Sequence, residues 1–179
     1  MRFFVTPKDF QLSMNIRKEQ PEDIQAIHDV TVAAFLNAPH TDHTEQFIVK
    51  ALRDSGVLSI SIVAEEKGVV VGHVAVSPVT VSDGAEGWYG LGPISVLPDN
   101  QGKSIGSQLM KAAIDELNNI GAKGCVLLGD PGFYQRFGFE PKDGLILPDV
   151  PPEYFQALLL LGDLPQGVVT YHESFSATS

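Results

Sequence analysis

A single cysteine, Cys125, stands in 179 residues, so no internal disulfide can form. It sits in the apolar run CVLL and reads as a small buried hydrophobe. Positive charge is scarce too. Twelve Lys and Arg face 22 Asp and Glu, a formal net charge of −10. Phosphate-rich partners would be repelled, which argues against nucleic acid and anionic membrane surfaces. An anionic small molecule would need a local trap of backbone N–H groups. Long apolar runs are missing as well. The longest candidate, ALLLL at 157–161, falls far short of the ~20 residues of a membrane helix. The opening MRFFVTPKDF lacks the apolar stretch and cleavage site of a secretory signal, so the expectation is a cytoplasmic protein. No H-E-x-x-H pattern supports zinc, and no G-x-S-x-G supports a serine triad.

What remains is ordinary globular composition, 44% hydrophobic and 19% charged. A chain of this length buries roughly 70% of its unfolded surface and forms one domain. Residues 1–13 read as an N-terminal arm, and 14–175 as the single domain. A short strand is expected near Met14–Arg17. Pro21 opens a helix whose first turn carries Glu22 and Asp23. Ile24, Ile27, Val30 or Thr31, and Ala34 give it a core face. The loop NAPHTDH leads to a second helix with Phe47, Ile48, Ala51 and Leu52 apolar, capped by Gly56. Then VLSISIVAEE, VVVGHVAVSPVTV and WYGLGPISVLP, joined by the turns EEKG and SDGAEG, form an antiparallel meander. A helix from about Ser104 to Ile120 follows, with Ile105, Leu109, Ala113, Leu117 and Ile120 on one face. GCVLLG at 124–129 is a strand covered on both sides. The last three elements make a βαβ unit. A short helix at PGFYQRF and strands at FQALLL and GVVTYHE complete an α/β mixed sheet with helices on both faces.

The chemistry concentrates in NQGKSIG, Asn100 to Gly106. GKS is the tail of a nucleotide-binding P-loop, but the first glycine of that loop should stand where Leu97 is, followed by Pro98. The dinucleotide pattern G-x-G-x-x-G fails as well. A plain strand-to-helix turn is the bland alternative. The segment LGPISVLPDNQGKSIG instead has a strand ending at Val96, a Pro-Asp turn, and a loop entering a helix. Amides at that helix start converge on one point, and the helix dipole adds partial positive charge. Lys103 could add a cation.

In Gln101-Gly102-Lys103-Ser104-Ile105-Gly106 the pattern [QR]-x-x-G-x-[GA] is met at its first and last positions, Gln101 and Gly106, with Ser104 in place of the middle glycine. A φ above zero would cost serine more than glycine. Downstream, GDPGFYQRFGFEP carries Tyr134 followed by Gly138 and Phe139. VGHVAVSPV, LGPISV and YHESF accompany it. Together these segments resemble the GNAT superfamily of N-acetyltransferases, and within it the YhbS-like subgroup. The resemblance runs from about residue 14 to about residue 175.

The resemblance implies the GNAT acyl-CoA N-acyltransferase fold. It implies acetyl-CoA as co-substrate and a primary amine of a small molecule or protein as acceptor. Attack is direct, with no acyl-enzyme. It implies that Gln101, Gly102, Lys103, Ser104, Ile105, Gly106 and Ser107 hold the pyrophosphate, with Phe133 alongside. Ile94, Ser95 and Val96 would give backbone bonds to the pantetheine arm, and Tyr134 would protonate the leaving thiolate. No metal is expected, and a homodimer is compatible. Independently of the family, Val96 and Gly129 end the parallel strands, so the loop and Tyr134 share one sheet edge.

The general base is open. LGPISV contains no acid, which leaves Glu86, an acid near His40, or ordered water. His40, Asp42, His43 and Glu45 form a polar cluster that borders the acceptor side or is simply solvated. His73 and His172 read as core or site residues equally, and Glu65 and Glu66 as solvated turn charges. The rivals are a non-catalytic acyl-CoA binding module on the same fold, a nucleotide enzyme using GKS, and a toxin acting on charged tRNA. Net charge disfavours the last.

Overall fold

The computed structural model describes residues 14–179; the expected arm at 1–13 lies outside them. The chain runs β1 (Met14–Lys18), α1 (Ile24–Phe35), α2 (Glu45–Asp54), β2 (Ile60–Glu66), β3 (Val69–Val81), β4 (Trp88–Val96), α3 (Ile105–Asn119), β5 (Gly124–Leu128), α4 (Pro131–Tyr134), β6 (Leu145–Ile146), β7 (Phe155–Leu159) and β8 (Gly167–Tyr171). Eight strands form one sheet with the order β1-β2-β3-β4-β5-β7, and β8 pairs with the end of β3 and with β6. All pairings are antiparallel except β4–β5 and β6–β8.

Alternation along β2 explains the layering. Ile60, Ile62 and Ala64 face α3 and pack with Leu109, Met110, Ala113 and Leu117. Val63 points the other way and packs with Ile27 and Val30 of α1 and Val49 of α2. Helices therefore cover both faces, and fully burying each Leu or Ile stabilises by about 1.5–3 kcal/mol. Gly72 lets α3 approach β3: a Cβ there would lie 3.0 Å from Leu109 Cδ1. A third cluster places Trp88 and Val126 against Phe155 and Val169, beside β8.

Four expectations need correction. Ile24 and Ile120 are exposed, because Ile24 begins its helix and Ile120 follows the end of its own, beyond the packed turns; Met110 is buried instead. Glu65 is not merely solvated. It accepts from Arg17 Nε and Nη2, at 3.1 and 2.7 Å, while Arg17 also holds Asp23. Hydrogen bonding by Arg17 lowers the Asp23 pKa. Glu66 accepts from Asn100 at 2.8 Å and so ties the turn after β4 to the edge of the sheet. The short strand β6 carried no periodic signal, being a two-residue pairing.

Candidate active site

β4 and β5 pair only at Trp88–Gly124, Tyr89–Cys125 and Gly90–Val126. Beyond Gly90, β4 runs on to Val96 with no partner on that side, so the sheet opens into a cleft. A register shift against β3 at Gly92–Pro93, where the peptide is cis, coincides with the opening. Antiparallel ladders alternate bonded and non-bonded pairs. Leu97 N donates to Val71 O, and Ser95 pairs with His73 in the same register. The N–H and C=O groups of Ile94 and Val96 therefore turn away from β3 into the cleft. Val96 O accepts there from Gln101 Nε2 at 3.2 Å. Ser95 is different. Its backbone belongs to the β3 ladder, and its hydroxyl is buried with no partner.

Two cavities flank the end of β4. The first, about 360 Å³, is lined by Val96, Asn100, Gln101, Gly102, Ser104, Ile105, Gly106, Ser107, Phe133 and Arg136. Among the described residues, no amide from Gly102 through Ser107 donates a hydrogen bond to protein. They are the orphan donors of the α3 N-terminus and the loop before it. Gly102 and Ser104 both adopt positive φ, 77° and 63°, which bends the loop around the cavity. Arg136 stacks on Phe133, its guanidinium 5.1 Å from the ring centroid. Lys103 is exposed and does not line the cavity. Free amides, a helix start and a stacked guanidinium make an anion site of a pyrophosphate's chemistry.

Arg136 escaped the sequence reading, although it stands one turn after Phe133 in FYQRF and shares that residue's face. Ser104 at φ 63° carries the left-handed strain expected of a non-glycine residue. The relief from glycine there exceeds its roughly 0.4–1 kcal/mol entropy cost. Ser104→Gly is expected to raise the melting temperature by a few degrees and to tighten binding of a pyrophosphate added to the protein several-fold. Thermal melts and calorimetry read both; a lower melting temperature would contradict it.

The second cavity, about 510 Å³, is lined by Phe35, Glu45, Ile48, Leu91, Gly92, Pro93, Ile94, Leu128, Tyr134, Tyr171 and Phe175. Asp130 caps α4, accepting from Gly132 N at 2.9 Å, and Gly138 at φ 93° ends the turn that follows. That seats Tyr134 on the cleft, edge-on to Phe133 with centroids 4.9 Å apart. Burial raises the Tyr134 pKa, and the charge of Asp130 adds to the effect. The phenol therefore keeps its proton at neutral pH.

The other candidates separate clearly. Glu86 is exposed before the start of β4 and lines neither cavity, which leaves it off this site. His40, Asp42 and His43 are exposed and off both cavity walls; Glu45 alone of that cluster reaches one. His73 is fully buried. Its Nε2 meets Ser61 Oγ at 2.8 Å, its Nδ1 has no partner, and burial drops its pKa to about 3. His172 Nδ1 meets the Ser174 hydroxyl at 2.9 Å and accepts from the Ser174 amide at 3.1 Å. Burial raises the Cys125 thiol pKa, which leaves it unreactive. Among the described residues no cluster of three or more His, Cys, Asp or Glu could hold a metal, and no helix is long and apolar enough to cross a membrane.

Comparison with known proteins bears on this geometry. Residues 58–141 match the family profile described as an acetyltransferase (GNAT) domain. The chain is 36% identical over 170 residues to the N-acetyltransferase YhbS of Escherichia coli K12, covering 91% of this chain and 99% of YhbS. A solved GNAT family acetyltransferase of Brucella melitensis, in complex with acetyl-CoA, superposes with TM-score 0.81 at 48% identity, covering 90% of this chain and 97% of that one. Escherichia coli YhbS in complex with CoA superposes with TM-score 0.83 at 32% identity, covering 93% and 94%.

Proposed function

The chain belongs to the GNAT acetyltransferase family, and from that premise we propose that residues 14–175 act as one domain transferring acetyl from acetyl-CoA to a primary amine. The observation that carries this reading is the ring of unengaged amides from Gly102 to Ser107 around a cavity closed by Arg136. An acidic chain can hold a pyrophosphate only through such a trap. Relatives that bind acetyl-CoA and CoA support it.

When bound, acetyl-CoA supplies an activated thioester. The chain's own groups do the rest. Gly102, Ser104, Gly106 and Ser107 present N–H donors to the pyrophosphate, and Arg136 adds a charge-assisted contact. Ile94 and Val96 offer the cleft-facing N–H and C=O groups that orient the arm. One of those N–H groups is the donor available to the carbonyl oxygen as negative charge develops on it. Tyr134 holds a proton at Oη. A departing thiolate, with reference pKa near 8.5 against ~10 for phenol, accepts it as the carbon–sulfur bond breaks. Because burial raises the Tyr134 pKa, that proton moves late, once sulfur carries most of its charge.

Calorimetric titration with acetyl-CoA, with ATP–Mg²⁺ in parallel, tests the reading. Acetyl-CoA is expected to bind and ATP–Mg²⁺ not. Arg136→Ala is expected to weaken acetyl-CoA about tenfold, the ~1.5 kcal/mol of one charged hydrogen bond. Failure of acetyl-CoA to bind would overturn the reading. The non-catalytic binding module has one observation in its favour, the absence of an acid on β4; amine-dependent release of CoA would eliminate it.

A further inference from the structure

The second cavity has a wall of one kind and one exception. Phe35, Ile48, Leu91, Pro93, Ile94, Leu128 and Phe175 are apolar; Tyr134 and Tyr171 present aromatic rings; Glu45 alone carries a formal charge. Among the described residues no cation pairs with Glu45. Its Oε1 accepts from the Thr41 hydroxyl, and its Oε2 is shut off from solvent with no hydrogen-bond partner among the described residues. A carboxylate oxygen kept out of water without a donor is costly, and that cost is recovered when a donor arrives. The position is also fixed. Thr44 precedes α2 as its N-cap residue, and its carbonyl accepts from Phe47 and Ile48 N at 2.9 and 3.1 Å. Thr41, bound also by His43 N at 3.0 Å, braces the carboxylate from the loop before α2.

We propose that Glu45 is the anchor for the acceptor nitrogen and that the acceptor is a small primary amine on an apolar, arylalkyl-type body. This rests on the acetyltransferase reading above, because it assigns the second cavity to the acceptor. Tyr134 lines the same cavity, so the leaving sulfur and the acceptor nitrogen would meet there. Its volume, about 510 Å³, suits a small molecule. Tyr171 and Phe175 meet with centroids 4.8 Å apart and rings tilted by 59°, an aromatic corner for the body of the ligand. A net charge of −10 draws cations toward the cleft. The amine enters as R–NH₃⁺ and pairs with Glu45. Once one proton has passed to solvent, an N–H still donates to Glu45, and the lone pair is free to form the nitrogen–carbon bond. As the carbon–sulfur bond breaks, nitrogen loses a second proton, which through solvent replaces the one Tyr134 gives to the thiolate. The structure thus separates two jobs: Glu45 orients nitrogen, and Tyr134 serves sulfur. A polyamine would leave its further charges in an apolar pocket and is disfavoured.

The test is calorimetric binding of 2-phenylethylamine to the protein, alone and with saturating CoA, against 2-phenylethanol, spermidine and a lysine-containing peptide. The amine is expected to bind at least tenfold tighter than the alcohol and than either polycation or peptide. Glu45→Gln keeps the shape and is expected to erase the amine–alcohol difference while leaving CoA affinity unchanged. Phe175→Ala, whose ring is one wall of the cavity, is expected to weaken amine and alcohol together. Equal binding of amine and alcohol, or unchanged discrimination in folded Glu45→Gln, overturns Glu45 as the anchor. Tighter binding of spermidine or the peptide overturns the arylalkyl class. Loss of acetyl-CoA binding in the wild-type protein would instead strike the acetyltransferase reading, and the amine titration without CoA separates the two failures.

Discussion

Tyr134→Phe is expected to lower kcat by about 10²–10³-fold, the range of a single general acid, with acetyl-CoA affinity nearly unchanged. The substitution removes one oxygen. The ring keeps its edge contacts with Phe133 and Phe139, at 4.9 and 6.4 Å between centroids, so folding and the pyrophosphate cavity stay as they are. What disappears is a proton that burial holds on the phenol at neutral pH. Without it the thiolate must leave as an anion in a pocket of mostly apolar walls, where charge is poorly solvated. Single-turnover kinetics beside calorimetry would check this. Wild-type turnover in the variant would remove Tyr134 from the proton's path.

Gly129→Ala is expected to lower kcat about 10²-fold by a different route, displacement of the same hydroxyl. A Cβ on Gly129 would lie 2.2 Å from Tyr134 Cε2 and 2.9 Å from Cδ2. The backbone cannot yield easily. Gly129 N donates to Tyr154 O at 3.0 Å, and Gly129 O accepts from Gln156 Nε2 at 3.0 Å. The ring must therefore swing. Overpacking costs about 1–3 kcal/mol, so a modest fall in melting temperature accompanies the kinetic loss. The double variant with Tyr134→Phe is expected to be little slower than the slower single one, because both act through one oxygen. Full additivity of the two losses in kcat would show that Gly129 acts on something else. Gly132→Ala, 3.3 Å from Asp130 Oδ1 on an exposed turn, serves as the near-silent control.

Much of the architecture was legible because local rules and tertiary demands agree. The alternation in SISIVAEE, the glycine-punctuated helix after NQGKSIG and the Asp-Pro-Gly start of α4 each specify one element and one facing. Where the two levels part, the reading strayed. Ile24 and Ile120 carry the right period but lie at the ends of packed helices. Glu65 sits beside a turn, yet Arg17, far away in sequence, draws it into an ion pair. The loop at 102–107 was legible as a motif, and its odd serine as a strain. Arg136 and Glu45 were harder, because nothing in their neighbourhoods distinguishes a cleft-facing charge from a solvated one.

The sequence by itself determined the family, the order of elements, and the loop and tyrosine proposed for the site, because glycine, proline and apolar periodicity act over a few residues. Only the tertiary structure decided which charges line the two cavities. The parting of β4 from β5 after Gly90 turns Ile94 and Val96 toward the cleft and Ser95 away from it. The placement of α2 puts Glu45, and not His40, His43 or Glu86, among the residues that line the cavity with Tyr134. Such assignments depend on contacts between segments distant in the chain, which no local pattern encodes.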